Sequence, residues 1–210
     1  MKNIKAIIFD FDGTIADTMP FLTRIAVKLI TEKYNVSKEE AEKRYLGTTG
    51  LDFASQIGII FPNHPYNSEV VSIFELKKVE GIFDRPVFPD VVNTLVYLKK
   101  RKIKTFICSS TKYEIVMEYC KLRGIDSLLT NIFGYKTGFG KYDQINFIVR
   151  ELSLEPFEML FVGDSLKDCD FAARNKINFI GISRIFKTED FQKKGVSSVN
   201  NLKDIIKILK

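Results

Sequence analysis

Ile7-Ile8-Phe9-Asp10-Phe11-Asp12-Gly13-Thr14 is the stretch on which the reading of this chain turns. An apolar run leads straight into two acids, then Gly and Thr. A continuous run of this kind fits a strand buried on both faces. Such strands belong to parallel sheets, whose ligands sit outside the carboxyl ends of the strands. Asp10 and Asp12 therefore stand where an open α/β sheet keeps its active site. Strand alternation would point both acids the same way, but Gly13 marks a turn, so they flank a loop. Two carboxylates this close repel each other, and neither is easily buried alone. A hard cation such as Mg²⁺, which takes oxygen ligands, relieves that conflict. It also draws in a phosphate, toward which a carboxylate can act as nucleophile to give an aspartyl-phosphate. The same residues also fit a strand that ends in a solvated acidic turn.

Downstream of Thr18 the pattern changes to helices. Pro20 suits a first helical turn, and Phe21, Ile25, Leu29 and Ile30 recur at helical spacing until Asn35-Val36. Ser37-Lys38-Glu39-Glu40 reads as a capping box opening a second helix through Tyr45. Gly47-Thr48-Thr49-Gly50 is a loop, and helices are expected over 51–57 and 69–79. From residue 90 strands and helices alternate. Strands are predicted over 104–108, 131–134, 159–162 and 179–182, and helices over 114–122, 143–152, 168–175 and 202–209. Asp90 is expected to cap a further helix that turns Val91, Leu95 and Leu98 inward. That order predicts an α/β fold with a doubly wound, Rossmann-like parallel sheet and a helical insert after the first strand.

Composition narrows the classes. The chain has 210 residues, of which 45% are hydrophobic, enough for one large domain or a domain with a small insert. Mean hydropathy is −0.03 and no long apolar run occurs, which argues against a membrane span. The chain enters its first strand at once from Met1-Lys2-Asn3, leaving no room for a signal peptide. Cys108, Cys120 and Cys169 form neither a disulfide framework nor a metal-binding pair, and fit reduced thiols in a cytoplasmic protein. The single His64 lies in a Pro-rich loop and is expected at the surface. Net charge is +6 and the isoelectric point is about 9.1. The basic residues are mixed with acids, however, and the densest run, Lys99-Lys100-Arg101-Lys102, closes a helix, where cations favour the dipole. No nucleic-acid partner is expected.

Three expected strands end in polar or acidic residues: Asp10, Ser109 and Asp164. If these strands are neighbours, the side chains converge at one edge of the sheet. Asp10 and Asp164 would then share a cation, and Ser109 would offer its hydroxyl to a phosphate oxygen beside the backbone of the following turn, Ser110. A cation should balance the phosphate. Lys141, after the loop Thr137-Gly138-Phe139-Gly140, starts a helix and suits that task, with Lys112 and Lys136 as rivals.

In Asp10-Phe11-Asp12-Gly13-Thr14, Ser109, Lys141 and Gly163-Asp164-Ser165-Leu166-Lys167-Asp168 the sequence resembles the haloacid dehalogenase-like superfamily. The motifs stand in the family's order and span nearly the whole chain. Tyr142 replaces the Pro often found after the motif lysine, and Asp90 replaces a common Gly. The resemblance implies a Mg²⁺-dependent phosphatase. Asp10 would be nucleophile and metal ligand. Asp12 would be general acid, then base, with its backbone carbonyl on the metal. Ser109 and Lys141 would hold the phosphoryl group, Asp164 would complete the metal site, and Asp168 would support or bind the metal. The acid at Asp12 distinguishes phosphoryl transfer from the family's halide-removing chemistry. The resemblance also implies a core of residues 1–17 and 84–210, with a helical cap of the C1 type at 18–83.

Within that cap, Leu46-Gly47-Thr48-Thr49-Gly50 matches the family's specificity loop. Members resembling β-phosphoglucomutase place basic residues there. This loop is uncharged, with Arg44 just before it, so hydrolysis is expected over mutase action. Thr48 and Thr49 fit either hydrogen bonds to a substrate or plain turn chemistry. The expected partner is a small phosphorylated metabolite of the phosphoglycolate or sugar-phosphate class, and the expected state a monomer or weak dimer. A non-catalytic binding or regulatory protein on the same fold is the alternative from a different class.

Overall fold

The computed structural model describes residues 3–209, so the expectation about the first two residues lies outside them. Six strands form one wholly parallel sheet: β1 (Ala6–Phe9), β2 (Lys104–Ile107), β3 (Asn131–Ile132), β4 (Met159–Gly163), β5 (Asn178–Ile182) and β6 (Ser198–Val199). Their spatial order is β3-β2-β1-β4-β5-β6. The order reverses between β1 and β4, which opens a crevice at the carboxyl ends of those two central strands. Among the described residues ten α-helices accompany the sheet: α1 (Met19–Tyr34), α2 (Lys38–Gly47), α3 (Phe53–Ile60), α4 (Asn67–Ile82), α5 (Val91–Lys100), α6 (Tyr113–Leu122), α7 (Lys141–Leu152), α8 (Leu166–Arg174), α9 (Thr188–Lys193) and α10 (Leu202–Ile208).

Every residue of β1 is fully buried, as its unbroken apolar run requires. Ile7 and Phe9 pack toward α5, α6 and α10, while Ala6 and Ile8 pack toward α7, α8 and α9. β4 splits in the same way, with Leu160 and Val162 on the first side and Met159 and Phe161 on the second. The two-residue repeat of a strand thus feeds two cores from one apolar sequence. Phe11, between the two acids, turns into the first core and meets Tyr119 edge-on at 5.1 Å. Deleting such a ring typically costs about 3–5 kcal/mol.

Helices α1–α4 enclose a third core of their own, including Leu22, Ile30, Tyr45, Phe53, Ile57 and Phe74. The chain leaves the sheet and returns to it along two paired segments. Ala16 bridges Val87 in antiparallel fashion, Asp17 N–H donates to Pro86 O at 2.9 Å, and Phe88 N–H donates to Ile15 O at 3.1 Å. Among the described residues no helix is long and apolar enough to cross a membrane.

Several local expectations change. β6 and α9 were not legible, being only two and six residues long. α2 runs on to Gly47, and α3 starts at Phe53 behind Asp52, whose carboxylate accepts from Ser55 N–H at 3.0 Å. Asp90 stands at the N-cap position of α5, and Val91, Leu95 and Leu98 turn inward as expected, but its carboxylate makes no capping bond to that helix. Its carboxylate instead accepts from Lys203 N–H, in the first turn of α10, at 3.1 Å and lies 3.7 Å from Arg184. His64 is half-buried rather than at the surface, its ring 4.7 Å from that of Tyr34. The three cysteines are free and buried.

Candidate active site

The acids reach one place because β1 and β4 are neighbours in register. Asp10 follows β1 and its N–H donates to Val162 O at 2.9 Å; Asp164 follows β4. Gly13 has φ +82°, and a Cβ built there would lie 2.0 Å from Asp164 Oδ2, so only glycine lets this turn close over that carboxylate. Ser165 and Asp168 open α8 as a reciprocal capping box. Asp168 N–H donates to Ser165 Oγ at 3.1 Å, and Ser165 Oγ–H donates to Asp168 Oδ2 at 2.7 Å. The other Asp168 oxygen faces Lys141, the first residue of α7. Lys141 Nζ donates to Asp168 Oδ1 at 2.8 Å and to Asp10 Oδ1 at 2.6 Å.

Oxygens of Asp10, Asp164 and Asp168 lie within 4.8 Å of one another, all three residues buried. Burial pushes the Asp10 carboxyl up to about 7; Lys141 opposes that rise, while Asp168 and Asp12 add to it. Asp164 is held well above the usual carboxylate range, by burial first and then by the charges of Asp10 and Asp168. Burial disfavours the Lys141 ammonium, yet Asp10 and Asp168 keep its pKa above the ordinary lysine value. The cluster is short of positive charge.

Those residues fit a divalent ion. Asp164 Oδ2 is buried and has no hydrogen-bond partner among the described residues. An orphaned carboxylate oxygen is costly unless a cation or proton meets it. The donors are all hard carboxylate oxygens, the set that suits Mg²⁺.

Asp12 lies beside this cluster, held by two hydroxyls. Thr18 Oγ–H donates to its Oδ1 at 2.7 Å and Thr111 Oγ–H to its Oδ2 at 2.5 Å. Ser109 follows β2, fully buried. Its Oγ accepts from Thr111 N–H at 2.9 Å, and its backbone is gripped on both sides by the Gln144 amide at 3.0 Å. Ser110 Oγ–H donates to Gly50 O at 2.7 Å, tying the loop after β2 to the helical unit. A second tie is Lys78 of α4, whose Nζ donates to Thr111 Oγ1 at 2.5 Å. Between these ties lies a cavity of about 50 Å³, bordered by Asp10, Asp12, Lys141 and Asp164 below and by Tyr45, Thr49, Phe53, Phe74 and Lys78 above. That is room for a few waters.

The site residues expected from sequence take these places. Asp10, Asp164, Asp168 and Lys141 meet directly; Asp12, Ser109 and Ser110 surround them. Of the rival lysines, Lys112 lies 3.8 Å from Glu75, and Lys136 sits over the Tyr113 ring at 4.2 Å. Thr49 borders the cavity, though its hydroxyl donates to Leu46 O at 2.8 Å. The Thr48 hydroxyl turns to Tyr45 O, Arg44 O and Gln56 Oε1. Thr18, Lys78, Thr111 and Gln144 escaped the sequence reading. For Lys78 a signal existed. Val70, Phe74, Lys78 and Ile82 recur every four residues and all are buried, so a lysine occupies a slot on an apolar stripe.

Comparison with known proteins points one way. The profile of the haloacid dehalogenase-like hydrolases matches residues 7–182. The phosphoglycolate phosphatase of Vibrio cholerae is 26% identical over 186 residues, 83% of this chain and 82% of that one. The phosphoglycolate phosphatase of Synechococcus elongatus is 22% identical over 198 residues, 90% of this chain and 87% of that one. Among solved structures, a haloacid dehalogenase-like family hydrolase from Streptococcus pneumoniae superposes with a TM-score of 0.83 at 21% identity, over the whole of both chains.

Proposed function

This chain belongs to the haloacid dehalogenase-like hydrolases, and from that premise we propose that it is a Mg²⁺-dependent phosphatase of small phosphomonoesters, working through an aspartyl-phosphate. The observation that carries the reading is the buried meeting of Asp10, Asp164 and Asp168, with Lys141 paired to Asp10 and Asp168 and Asp12 on the same cavity. Asp10, Asp164 and the backbone carbonyl of Asp12 would hold Mg²⁺, with Asp168 in support. Bound there, the ion would offset the carboxylate repulsion and stabilise charge on the phosphoryl oxygens.

The chain's own groups supply the rest. Asp10 attacks phosphorus, and the bond to the ester oxygen breaks. Asp12 gives that oxygen a proton, a contribution worth about 10²–10⁴-fold. It then takes a proton from the water that hydrolyses the aspartyl-phosphate. Thr18 and Thr111 fix the Asp12 carboxylate for both steps. Ser109 and Lys141 hold the phosphoryl oxygens as charge shifts among them. Residues 18–83 act as a cap on a core of 1–17 and 84–210, excluding water while closed.

The cap also supports a substrate class. Lys78 brings one buried cation to the upper wall of a narrow cavity. A short substrate with a second anionic group, such as a phosphorylated hydroxy acid of the phosphoglycolate kind, matches it. Arg44 is paired with Glu40 at 2.7 Å and does not border the cavity, which favours hydrolysis over a phosphomutase. Its buried, reduced thiols suit the cytoplasm.

The test is turnover of 2-phosphoglycolate, sugar phosphates and p-nitrophenyl phosphate, with Mg²⁺ and with chelator. Expected are Mg²⁺-dependent release of phosphate, with phosphoglycolate preferred, and a loss of at least about 10³-fold in Asp10→Asn. Undiminished turnover in that variant overturns the covalent route. A wild-type protein silent on the whole panel favours a binding role instead.

A further inference from the structure

Arg184 lies outside every motif above, in the loop after β5, yet it reaches the turn that follows Asp12. Its Nη1 donates to Gly13 O and Thr14 O, both at 3.0 Å. Its guanidinium stacks over the Phe88 ring at 3.3 Å, and the Asp90 carboxylate lies 3.7 Å from its Nη2. Arg184 thus joins the turn that follows the catalytic acids to the segment by which the chain re-enters the sheet. The joined turn is the one that Gly13 presses against Asp164 Oδ2. Backbone bonds also close the turn, Gly13 N–H to Ala16 O at 2.8 Å and Ile15 N–H to Phe11 O at 2.9 Å. Without the guanidinium, however, the Gly13 and Thr14 carbonyls lose their partner and the turn can rock against Asp164. Rocking would move both the Asp164 contact and the backbone of Asp12.

We propose that Arg184 is a positioning residue for the divalent-ion site, acting through the Gly13–Thr14 carbonyls rather than by touching metal or substrate. The proposal rests on the metal site described above. Partners that orient the ligands of an ion typically contribute 10–100-fold to its affinity. A guanidinium can bond and stack at once because it is planar, which an ammonium cannot do.

The experiment is Mn²⁺ binding to metal-free protein, read by electron paramagnetic resonance with no substrate present. Arg184→Met should weaken Mn²⁺ roughly 10–100-fold, and Arg184→Lys should fall between it and wild type. Asp90→Asn, which spares both carbonyl bonds, should change affinity less than about threefold. In turnover, the loss in Arg184→Met should be largely recovered at high Mg²⁺, with KM for phosphoester little changed. Equal Mn²⁺ affinity in wild type and Arg184→Lys or Arg184→Met overturns the proposal; where Arg184→Met fails to fold, Arg184→Lys alone decides. A wild-type protein that binds no Mn²⁺ overturns both this proposal and the metal site beneath it.

Discussion

The two walls of the cavity are built on different terms. The sheet edge is charged, and its bonds join residues far apart in sequence: Lys141 to Asp10 across 131 positions, Thr111 to Asp12 across 99. On the helical wall Thr48, Thr49 and Gln56 bond to neighbours three to eight positions away, and Phe53 and Phe74 stack at 3.7 Å between them. The sheet edge is therefore fixed by topology, and no single element there can shift without uncovering a buried charge. Breaking such a buried pair costs about 3–5 kcal/mol. The helical wall bonds mostly within itself and is tied to the sheet side by Gly50 O to Ser110 and by Lys78 to Thr111. In the reading proposed above, reaction chemistry belongs to the first and discrimination to the second, which carries the Lys78 ammonium and the Asp52 carboxylate to the cavity.

That contrast can be broken, most sharply at Asp12. Asp12→Asn should lower steady turnover by about 10²–10⁴-fold. With p-nitrophenyl phosphate, whose leaving group needs no proton, it should still release one fast equivalent of p-nitrophenolate in stopped flow. Turnover within tenfold of wild type would mean that the sheet edge does not hold the acid. Next comes the opposite wall. Lys78→Met should raise KM for a substrate with a second anion about 10–100-fold, the worth of a hydrogen bond to a charged group. The KM of p-nitrophenyl phosphate should hardly move. Equal effects on both substrates would place Lys78 with the chemistry instead.

The smallest effect concerns pH. The folded protein without metal keeps a proton on Asp10 between its ordinary 3.8 and about 7, whereas the unfolded chain does not. Folded chains then bind more protons than unfolded ones, so stability falls as pH rises through that window and levels off above it. Asp164, also raised, acts in the same direction. Thermal melts should show Tm of metal-free protein declining from pH 5 to pH 7.5, at about 2–4 °C per kcal/mol for this size. The gain in Tm on adding Mg²⁺ should be larger at pH 7.5 than at pH 5. A metal-independent rise in Tm across the window would contradict the buried acids.

What sequence revealed and what it hid follow the same division. β1 was readable because its apolar run is unbroken; α8 was expected only from residue 168, and its start at Leu166 behind the Ser165–Asp168 capping box went unread. Strand order then brought Asp10 and Asp164 together by rule. Thr18 and Thr111 were not readable, since a threonine near a turn is commonplace and only the fold aims both hydroxyls at Asp12. Arg184 was hidden for a similar reason: its two carbonyl partners are 171 and 170 positions away and carry no side-chain signal. Asp90 looked like a cap for the helix beside it and serves another helix, because proximity in sequence is a weak guide once ten helices compete for one polar side chain.

The paired crossing at Ala16 and Val87 has one further consequence. Exit and return lie side by side, so everything between them forms a cassette with adjacent ends. Replacing that cassette with another, longer or shorter, would leave each strand with its present neighbours, provided that Thr18, which holds Asp12, stays in place. In the proposed reading, one reaction centre would thereby be open to different metabolites by exchange of a single continuous block of sequence.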